Sequence, residues 1–554
     1  MQSRIDSRIR PRDLLWLMAL GLLLFGAGLG LRDAWPADEP RFAAIALEMV
    51  RSRQWLIPHI GGTPYSDKPP LFIWAIAIPY ALTGSMRLAF LLPSLVSALL
   101  VLWLVYDLGC RLWHAQIGLA AGLLLLFTVQ FTLQARQAQA DMLLCLWTTL
   151  GLYGLLRHLY LGPNWRWYAL AGIAMGLGIL TKGVGFLPLL VLPVYLVMRV
   201  LRWPALPHLP ALDVRWLSAP ILMLITVGLW VLPMAIYVQQ SGDPALLAYR
   251  HDILFRQTAQ RYAQSWNHVA PWWYYLTQLP WLWQPGLLAL PWVVSGWWQA
   301  LRQRNPRVGL LLGYVLLVLV FFSLSPGKRG EYLLPALPAL ALALAPLLPQ
   351  SLRRSGMQWL GWLLALLLSL TLLGVAVYVG YVKPGRGMAL AATYQLPGSI
   401  WLTLAGAGVL SLLLVLWLRP YRGIWACCLL LALLWVGEGL WLYPLLNPSR
   451  SGLALMQKTA QMIGPKAELA LVGWKEQLLL QADRPVVNFG YRRQDLGEVR
   501  QAVAWLAQTP DRWVLLPENR LKPCFDASQA RFVLWAHDRN WYLVNHRAVL
   551  DCAP

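Results

Sequence analysis

Acidic and basic residues are concentrated in the polar segment 38–70, which lies between two apolar runs. Its first end carries Ala37-Asp38-Glu39-Pro40-Arg41, and its second end carries Tyr65-Ser66-Asp67-Lys68-Pro69-Pro70. Cationic side chains bind a phosphate and stabilise it as a leaving group, and carboxylates stabilise positive charge that develops at the anomeric carbon of a sugar. The segment therefore suits the transfer of a group from a lipid phosphate donor.

Further polar residues stand beside apolar runs later in the chain. Asp141 precedes one run, and Lys182 separates two others. Charges at membrane depth are costly and usually face a cavity, so both residues are candidates for the same site. The topology derived below brings to one membrane face Asp38, Asp67, Lys68, Asp141, Lys182, Arg256, Arg261, Lys328, Glu331 and Tyr332.

Structural roles compete with these assignments. Asp38 could cap the helix that follows it. The lysines at 68, 182 and 328 could instead extend toward lipid headgroups. Glu39 and Glu331 are interpreted as structural.

The expected chemistry requires no cofactor beyond the lipid-linked donor. We find no glycine-rich nucleotide-binding loop outside the apolar runs, so a soluble nucleotide sugar is not needed. A divalent metal ion could be held by His251 and Asp67, although widely spaced histidines are a weak metal signal.

The composition predicts a membrane protein. The chain has 554 residues, of which 58% are hydrophobic and 13% charged, and its mean hydropathy is +0.53. These values are typical of a polytopic helical membrane protein and exclude a soluble chain with one core. The net charge of +22 comes mostly from arginines in short loops between apolar runs, so it reports topology and not nucleic-acid binding.

The elements that must position the polar residues are about thirteen transmembrane helices. The predicted spans are Leu14–Leu31, Leu88–Tyr106, Ala115–Leu133, Met142–Leu156, Trp167–Leu180, Gly183–Met198, Trp216–Tyr237, Pro271–Ala300, Val308–Ser325, Tyr332–Pro349, Gln358–Val382, Ile400–Leu418 and Ile424–Tyr443.

Two further helices are predicted at the membrane surface. Segment 41–53 has apolar residues on one helical face, and Asp38 stands near its start. Segment 71–83 contains Pro79 and is too short to cross comfortably. If it crossed, the arginine-rich loops downstream would lie outside, against the positive-inside bias. We therefore predict an interfacial or re-entrant helix.

This assignment of spans predicts a cytoplasmic N-terminus and a transmembrane domain over residues 1–443. Loops 32–87 and 238–270 are predicted to be periplasmic, as is a small α/β domain over residues 444–554. Its predicted strands are Glu468–Val472, Pro485–Asn488, Trp513–Leu516 and Arg531–Trp535. Cys524 and Cys552 are the cysteines of this domain, and a disulfide between them is predicted.

The motifs resemble those of the polyprenyl-phosphate-dependent membrane glycosyltransferases of the C-type fold. They are Ala-Asp-Glu-Pro-Arg-Phe at 37–42, Tyr-Ser-Asp-Lys-Pro-Pro at 65–70, Leu-Thr-Lys-Gly at 180–183 and Ser-Pro-Gly-Lys at 325–328, followed by Tyr332. Among these enzymes, the resemblance extends to those that modify lipid A with 4-amino-4-deoxy-L-arabinose, although these usually show Glu-Lys-Pro where this chain has Asp67-Lys68-Pro69.

The resemblance implies a pentosyltransferase of the bacterial inner membrane. It would move aminoarabinose from undecaprenyl phosphate to a lipid A phosphate at the periplasmic face, which confers polymyxin resistance. The implied partners are this donor, lipid A and membrane lipids, with no nucleic acid, and the protein would be a monomer. Asp38, Asp67 and Asp141 would be catalytic. The donor phosphate or substrate would be bound by Lys68, Lys182, Arg256, Arg261, Lys328 and Tyr332.

Two other functions stay open at this point. A protein O-mannosyltransferase, or another sugar transferase of this fold, would need a general base for its hydroxyl acceptor, and Asp38 could serve. A lipid flippase or transporter would have a similar charged groove. It is disfavoured because the chain shows no inverted repeat and its polar groups cluster at one face.

Overall fold

The computed structural model describes residues 9–207, 213–260, 268–473, 475–490, 496–522 and 524–550. Most of them are helical. The helices up to residue 251 are α1 (Pro11–Gly26), α2 (Glu39–Ser52), α3 (Leu71–Thr83), α4 (Met86–Ala89), α5 (Leu92–Leu112), α6 (Ala115–Phe127), α7 (Val129–Ala135), α8 (Ala140–Leu159), α9 (Trp165–Lys182), α10 (Val191–Val200), α11 (Ser218–Ser241) and α12 (Pro244–His251).

A π-helical segment, Asp252–Gln260, follows α12 directly. The later α-helices are Tyr274–Leu282, Leu290–Arg302, Pro306–Leu324, Leu337–Leu344, Leu348–Leu352, Ser355–Val377, Pro384–Tyr394, Ile400–Leu418, Gly423–Gly437, Tyr443–Arg450, Leu453–Ile463, Glu476–Gln481 and Leu496–Leu506.

Eight helices in the described part of the chain are long and apolar enough to cross a membrane. A ninth results if α6 and α7, bent by 70°, form one broken span. The eight are Met86–Leu112, Ala140–Leu159, Val214–Ser241, Pro306–Leu324, Gly330–Leu352, Ser355–Val382, Ile400–Leu418 and Pro420–Arg450. The polytopic helical architecture agrees with the sequence. Five predicted spans, Leu14–Leu31, Ala115–Leu133, Trp167–Leu180, Gly183–Met198 and Pro271–Ala300, fall outside this set because they are short, polar at their ends or broken.

The break between α6 and α7 lies at Thr128. Thr128 is extended, and its hydroxyl donates to the Leu124 carbonyl at 2.6 Å. The Val129 N–H, which would otherwise bond within a continuous helix, donates to the Gln284 carbonyl at 2.9 Å. The segment predicted as a span, Ala115–Leu133, is therefore broken at Thr128, because a distant segment takes up a backbone donor.

The predicted span Pro271–Ala300 is also wrong as a single helix. Two helices, Tyr274–Leu282 and Leu290–Arg302, are separated by a turn and a short 3₁₀ segment, Gly286–Ala289. Pro285 stands at this break, and a proline has no backbone N–H to continue a helix.

The two surface helices form where the sequence predicts them. α2 buries the apolar face carried by Phe42, Ile45 and Met49, and it packs against α3. The bounds of α3, Leu71–Thr83, are those predicted. The loop between them contains the short strands β1 (His59–Ile60) and β2 (Thr63–Pro64), which pair antiparallel. These elements bring both ends of segment 38–70 close to the helix bundle.

A five-stranded mixed sheet lies in the C-terminal part of the chain. Its strands have the spatial order β4-β3-β5-β7-β6. Four match predicted strands, whereas the sequence did not single out β7, which returns from β6 through a tight turn at His537 and Asp538. The strands are β3 (Glu468–Leu471), β4 (Val486–Asn488), β5 (Arg512–Pro517), β6 (Arg531–Ala536) and β7 (Arg539–Val544).

The described residues include only one of the two cysteines of the predicted disulfide. Cys524 is disulfide-bonded. Cys110, Cys145, Cys427 and Cys428 are free. Cys552 lies outside the described residues.

A buried ionic cluster joins distant parts of the helical region. Arg32 forms an ion pair with Glu39, and Arg136 lies 3.4 Å from Glu438. The Arg136 side chain also donates to the Leu24 carbonyl at 2.6 Å. Both guanidinium groups lie near the ring of Tyr443, at 4.9 and 5.2 Å from its centroid. The cluster fixes the loops that start α2 and α8 against α1 and the last long helix.

Candidate active site

A cavity of about 250 Å³ lies where the starts of α2, α3 and α8 meet the end of α9. Positive and negative groups occur in nearly equal number in its wall, which suits a ligand with an anionic phosphate beside a group that develops positive charge. The carboxylates in the wall are Asp38, Asp67, Asp141 and Asp252, and the cations are Arg41, Lys68, Lys182, Arg256 and Arg329.

Asp141 and Lys182 form an ion pair in this wall. Asp141 lies in the first turn of α8, and Lys182 is the last residue of α9. These are the helix ends at which the backbone dipole favours a negative and a positive charge. Lys182 Nζ lies 2.5 Å from Asp141 Oδ1 and 4.6 Å from the centroid of the Tyr332 ring. α9 ends at Gly183, whose φ of 80° is readily adopted only by glycine.

Asp38 does not cap α2. Its side chain makes no capping hydrogen bond, so that expectation was wrong. The two carboxylate oxygens instead lie 3.5 Å from Arg41 Nη1 and 3.5 Å from Arg329 Nη1. Arg329 also bonds Glu331 at 2.7 Å. Both arginine contacts of Asp38 are long, so its carboxylate can approach a ligand in the cavity.

The second end of segment 38–70 meets the segment that follows α12. Ser66 Oγ donates to Asp252 Oδ2 at 3.5 Å. Arg256 Nη1 lies 3.8 Å from the other oxygen of Asp252. Lys68 Nζ donates to the carbonyl of Asp67 at 3.1 Å. Asp67 and Lys68, predicted from one motif, and Arg256, predicted from a later loop, therefore line the same cavity.

Glu39 connects the two loops that carry Asp38 and Asp141. Its carboxylate accepts hydrogen bonds from the backbone N–H of Trp35 at 3.0 Å and of Ala138 at 3.1 Å, and it pairs with Arg32. The side chain is buried, as a structural role requires. One carboxylate thus fixes the positions of both loops.

Lys328 does not line the cavity. Its ammonium group donates to the carbonyls of Ser325 at 2.5 Å and Ala270 at 3.0 Å, and its own backbone N–H donates to the His268 carbonyl. Burial lowers the pKa of this ammonium group. In this position, Lys328 holds the loop 325–329 against residue 270.

Two further predicted site residues are Arg261 and His251. Arg261 lies outside the described residues. His251 packs against Phe255, with ring centroids 5.6 Å apart, and is absent from the wall of the cavity as described. In the described ranges, no group of three or more His, Cys, Asp or Glu could hold a metal ion.

Three wall residues with a carboxylate or guanidinium group were not assigned to the site from sequence. Arg41 belongs to the same motif as Asp38, at a spacing of three residues, and Arg329 follows Lys328 directly. Their positions next to predicted site residues could have identified both arginines from the sequence. No sequence pattern identified Asp252, because its contact with Ser66 depends on how α12 folds back.

Comparisons with known proteins agree with this architecture. The family model described as dolichyl-phosphate-mannose-protein mannosyltransferase matches residues 67–230. The fold is similar to crystal structures of ArnT from Cupriavidus metallidurans. The form bound to undecaprenyl phosphate gives a TM-score of 0.71 at 21% identity and covers 96% of this chain and 97% of that one. The apo form gives 0.73 at 21% identity, with 98% of each chain covered.

Curated relatives are similar over about two thirds of the chain. The undecaprenyl phosphate-alpha-4-amino-4-deoxy-L-arabinose arabinosyl transferase of Pectobacterium atrosepticum is 31% identical over 68% of this chain and 67% of its own length. The enzyme of that name from Pseudomonas savastanoi pv. phaseolicola is 32% identical over 62% of this chain and 63% of its own length. The chain spans less than two thirds of the length of that relative and of others, such as one from Pseudomonas fluorescens at 58%.

The family assignment rests on the match that covers most of both chains. That relative is 31% identical over 68% of this chain and 67% of its own length, and the fold agrees with it. The chain belongs to the family of the undecaprenyl phosphate-aminoarabinose arabinosyl transferases.

Proposed function

We propose that the protein transfers 4-amino-4-deoxy-L-arabinose from undecaprenyl phosphate to a phosphate of lipid A. The observation that carries the proposal is the cavity, in which carboxylates and cations from separate loops meet. The family supplies the identity of the sugar and of the acceptor. The resulting change in lipopolysaccharide charge would confer polymyxin resistance.

In the proposed step, an oxygen of the ionised lipid A phosphate attacks the anomeric carbon. The bond from that carbon to the donor phosphate breaks, and undecaprenyl phosphate leaves with the electron pair. Asp38 and Asp141 stabilise the positive charge at the sugar, and Lys68 and Arg256 stabilise the departing phosphate. Lys182 fixes the orientation of Asp141. No proton has to be removed from the nucleophile.

The membrane placement belongs to the same proposal. The N-terminus lies in the cytoplasm of a bacterial cell, and loops 32–87 and 238–270 lie in the periplasm with the C-terminal α/β domain. This placement follows from the arginines of the short loops. Cysteines introduced into loop 32–87 should react with an impermeant thiol reagent in spheroplasts, and reaction in the loop 199–215 instead would contradict the orientation.

The direct test is mass spectrometry of lipid A. Cells that lack the protein should lose the aminoarabinose adduct, and the wild-type chain should restore it. A chain with Asp141→Asn should be made at the normal level and should not restore it. Restoration by this variant, or an unchanged lipid A profile in cells without the protein, would contradict the proposal.

A second candidate is transfer of a sugar to a protein hydroxyl, because the family model that matches residues 67–230 describes mannosyltransferases of proteins. A hydroxyl acceptor needs a general base, so the rate would follow the ionisation of one carboxylate. An ionised phosphate needs none. A rate with a hydroxyl acceptor that depends on a single ionisation, and loses this dependence in Asp38→Asn, would favour the second candidate.

Metal dependence and association state are separate points of the proposal. The step as written uses no metal ion, and the predicted site at His251 and Asp67 is tested by transfer assays before and after treatment with a chelator. The protein is proposed to act as a monomer among membrane lipids. Its mass in a lipid nanodisc would test this.

A further inference from the structure

A second cavity, of about 170 Å³, lies between the C-terminal sheet and the helical region. One side is formed by the end of the helix Pro384–Tyr394 and the end of the helix Tyr443–Arg450. The other side is formed by the turn between β6 and β7 and by Lys475, which precedes the helix Glu476–Gln481. Pro36, from the loop before α2, completes the wall.

The ionisable residues of this wall are mostly cationic or donors. Arg450 and Lys475 form no ion pair or hydrogen bond with other described residues, and Nε2 of His537 is buried without a partner. Asp538 is the single carboxylate among the described lining residues. Burial, and then the charge of Arg539, lowers the pKa of the Lys475 ammonium group. Arg450 is exposed and Lys475 half-buried, whereas Nε2 of His537 is a buried polar atom that would normally be hydrogen-bonded. This grouping fits an anion with several oxygen acceptors.

Aromatic rings hold the Arg450 guanidinium without neutralising it. Its central carbon lies 5.8 Å from the ring centroid of Trp35 and 6.0 Å from that of Tyr394. Cation–π contacts of this kind orient the group and leave its N–H donors available at the edges. A planar donor group held in this way is suited to a phosphate.

Short stretches of chain connect the two cavities. Pro36 lines the second cavity and Asp38 the first. On the other side, Lys475 is followed by Glu476, whose carboxylate accepts from Arg41 Nε at 2.9 Å. Arg41 in turn pairs with Asp38. A ligand that reaches both cavities would therefore cross the loop that carries the candidate catalytic carboxylate.

We propose that the second cavity binds a phosphate of the acceptor glycolipid, namely the phosphate that does not receive the sugar. The inference rests on the proposed function, because it assigns this cavity to the acceptor of that reaction. Lipid A with two phosphates would be held through one of them by Arg450 and Lys475, while the other enters the first cavity. The site would thus position the acceptor and take no part in the chemical step.

The test compares two acceptors and two matched pairs of variants. Arg450→Gln and Lys475→Gln should each raise KM for bisphosphorylated lipid A by about tenfold, with kcat and the KM of the donor unchanged, as expected for a lost charged hydrogen bond. Neither variant should affect KM for monophosphoryl lipid A. Lys466→Gln and Arg531→Gln are the controls, because Lys466 is exposed and Arg531 stacks on Trp513 away from the cavity.

Direct binding separates failure of this inference from failure of the proposed function. Titration of the full chain in nanodiscs with bisphosphorylated lipid A should show weaker binding for both cavity variants, even if no sugar is transferred. Wild-type KM and binding in these variants would overturn the inference alone. Inorganic phosphate that competes at similar concentration would show a site for free phosphate and would also overturn it. Lys475→Arg should retain binding, which excludes misfolding as the cause.

Discussion

Lys182 Nζ and Asp141 Oδ1 lie 2.5 Å apart, at the end of α9 and the start of α8. The two side chains are only 15% and 10% exposed. At such burial, removing one partner leaves the other as an uncompensated charge. The pair is therefore expected to act as a unit.

Asp141→Asn and Lys182→Met should each reduce the transfer rate by about 10²-fold. Because the two groups act together, the double variant should lose much less than the product of the single losses. Initial rates of the three variants in one membrane preparation measure this. Lys383→Met is the matched control, since Lys383 also lies over a tyrosine ring, that of Tyr378, but on the surface. Multiplicative losses would contradict a functional pair.

Asp38→Ala should abolish most transfer without lowering the melting temperature, because Asp38 makes no capping hydrogen bond. Asp243 gives the opposite case, since its side chain accepts from the Ala245 N–H at 2.8 Å and caps α12. Asp243→Ala should lower the free energy of unfolding by about 1 kcal/mol and leave the activity per folded molecule unchanged. Equal loss of stability in both variants would show that Asp38 has a structural role.

Lys68→Ala should raise the KM of the lipid-linked donor as well as lower kcat, because its ammonium group is placed to contact the donor phosphate in the cavity wall. Titration of the donor at a fixed acceptor concentration measures both constants. Lys68→Arg should recover part of the donor affinity. A loss confined to acceptor KM would place Lys68 on the acceptor side of the cavity.

Lys328→Met should act on stability and not on the donor. The variant leaves the carbonyls of Ser325 and Ala270 without this donor, a change worth about 1 to 3 kcal/mol for buried groups. The melting temperature should fall while donor KM stays at the wild-type value. An increase in donor KM at unchanged stability would support the binding role predicted from the sequence.

His537 should make the protein less stable in mild acid. Burial first, and then the charge of Lys475, lowers its pKa from 6.5 to about 4, against a small opposing effect of Asp538. Below the unfolded pKa, the unfolded chain binds a proton that the folded chain does not, so stability present above pH 6.5 is lost as the pH falls toward 4. At about pH 5 the free energy of unfolding should be lower by about 2 kcal/mol than at neutral pH. His537→Gln should remove this part of the pH dependence of melting, and an unchanged dependence would exclude His537 as its cause.

The sequence predicted best where local pattern decides structure. The apolar face of α2, the proline-containing helix α3 and four strands follow from side-chain periodicity and length. The helix breaks at Thr128 and Pro285 were not predicted from the sequence. The first depends on a backbone hydrogen bond to residue 284, and the second lies within a continuous apolar run. Of the site residues predicted from charges beside apolar runs and from resemblance, those that line the cavity are Asp38, Asp67, Lys68, Asp141, Lys182, Arg256 and Tyr332. Lys328 was misplaced because sequence cannot show that two carbonyls face its ammonium group.

The buried contact between Arg136 and Glu438 also constrains the order of assembly. Arg136 is synthesised about three hundred residues before its partner, so the early helices enter the membrane with this guanidinium uncompensated, a costly state in an apolar medium. The contacts of Arg136 are complete only when the last long helix has been inserted. A ribosome that stalls before Glu438 therefore leaves a chain that already contains the acidic residues described in the first cavity but lacks this contact.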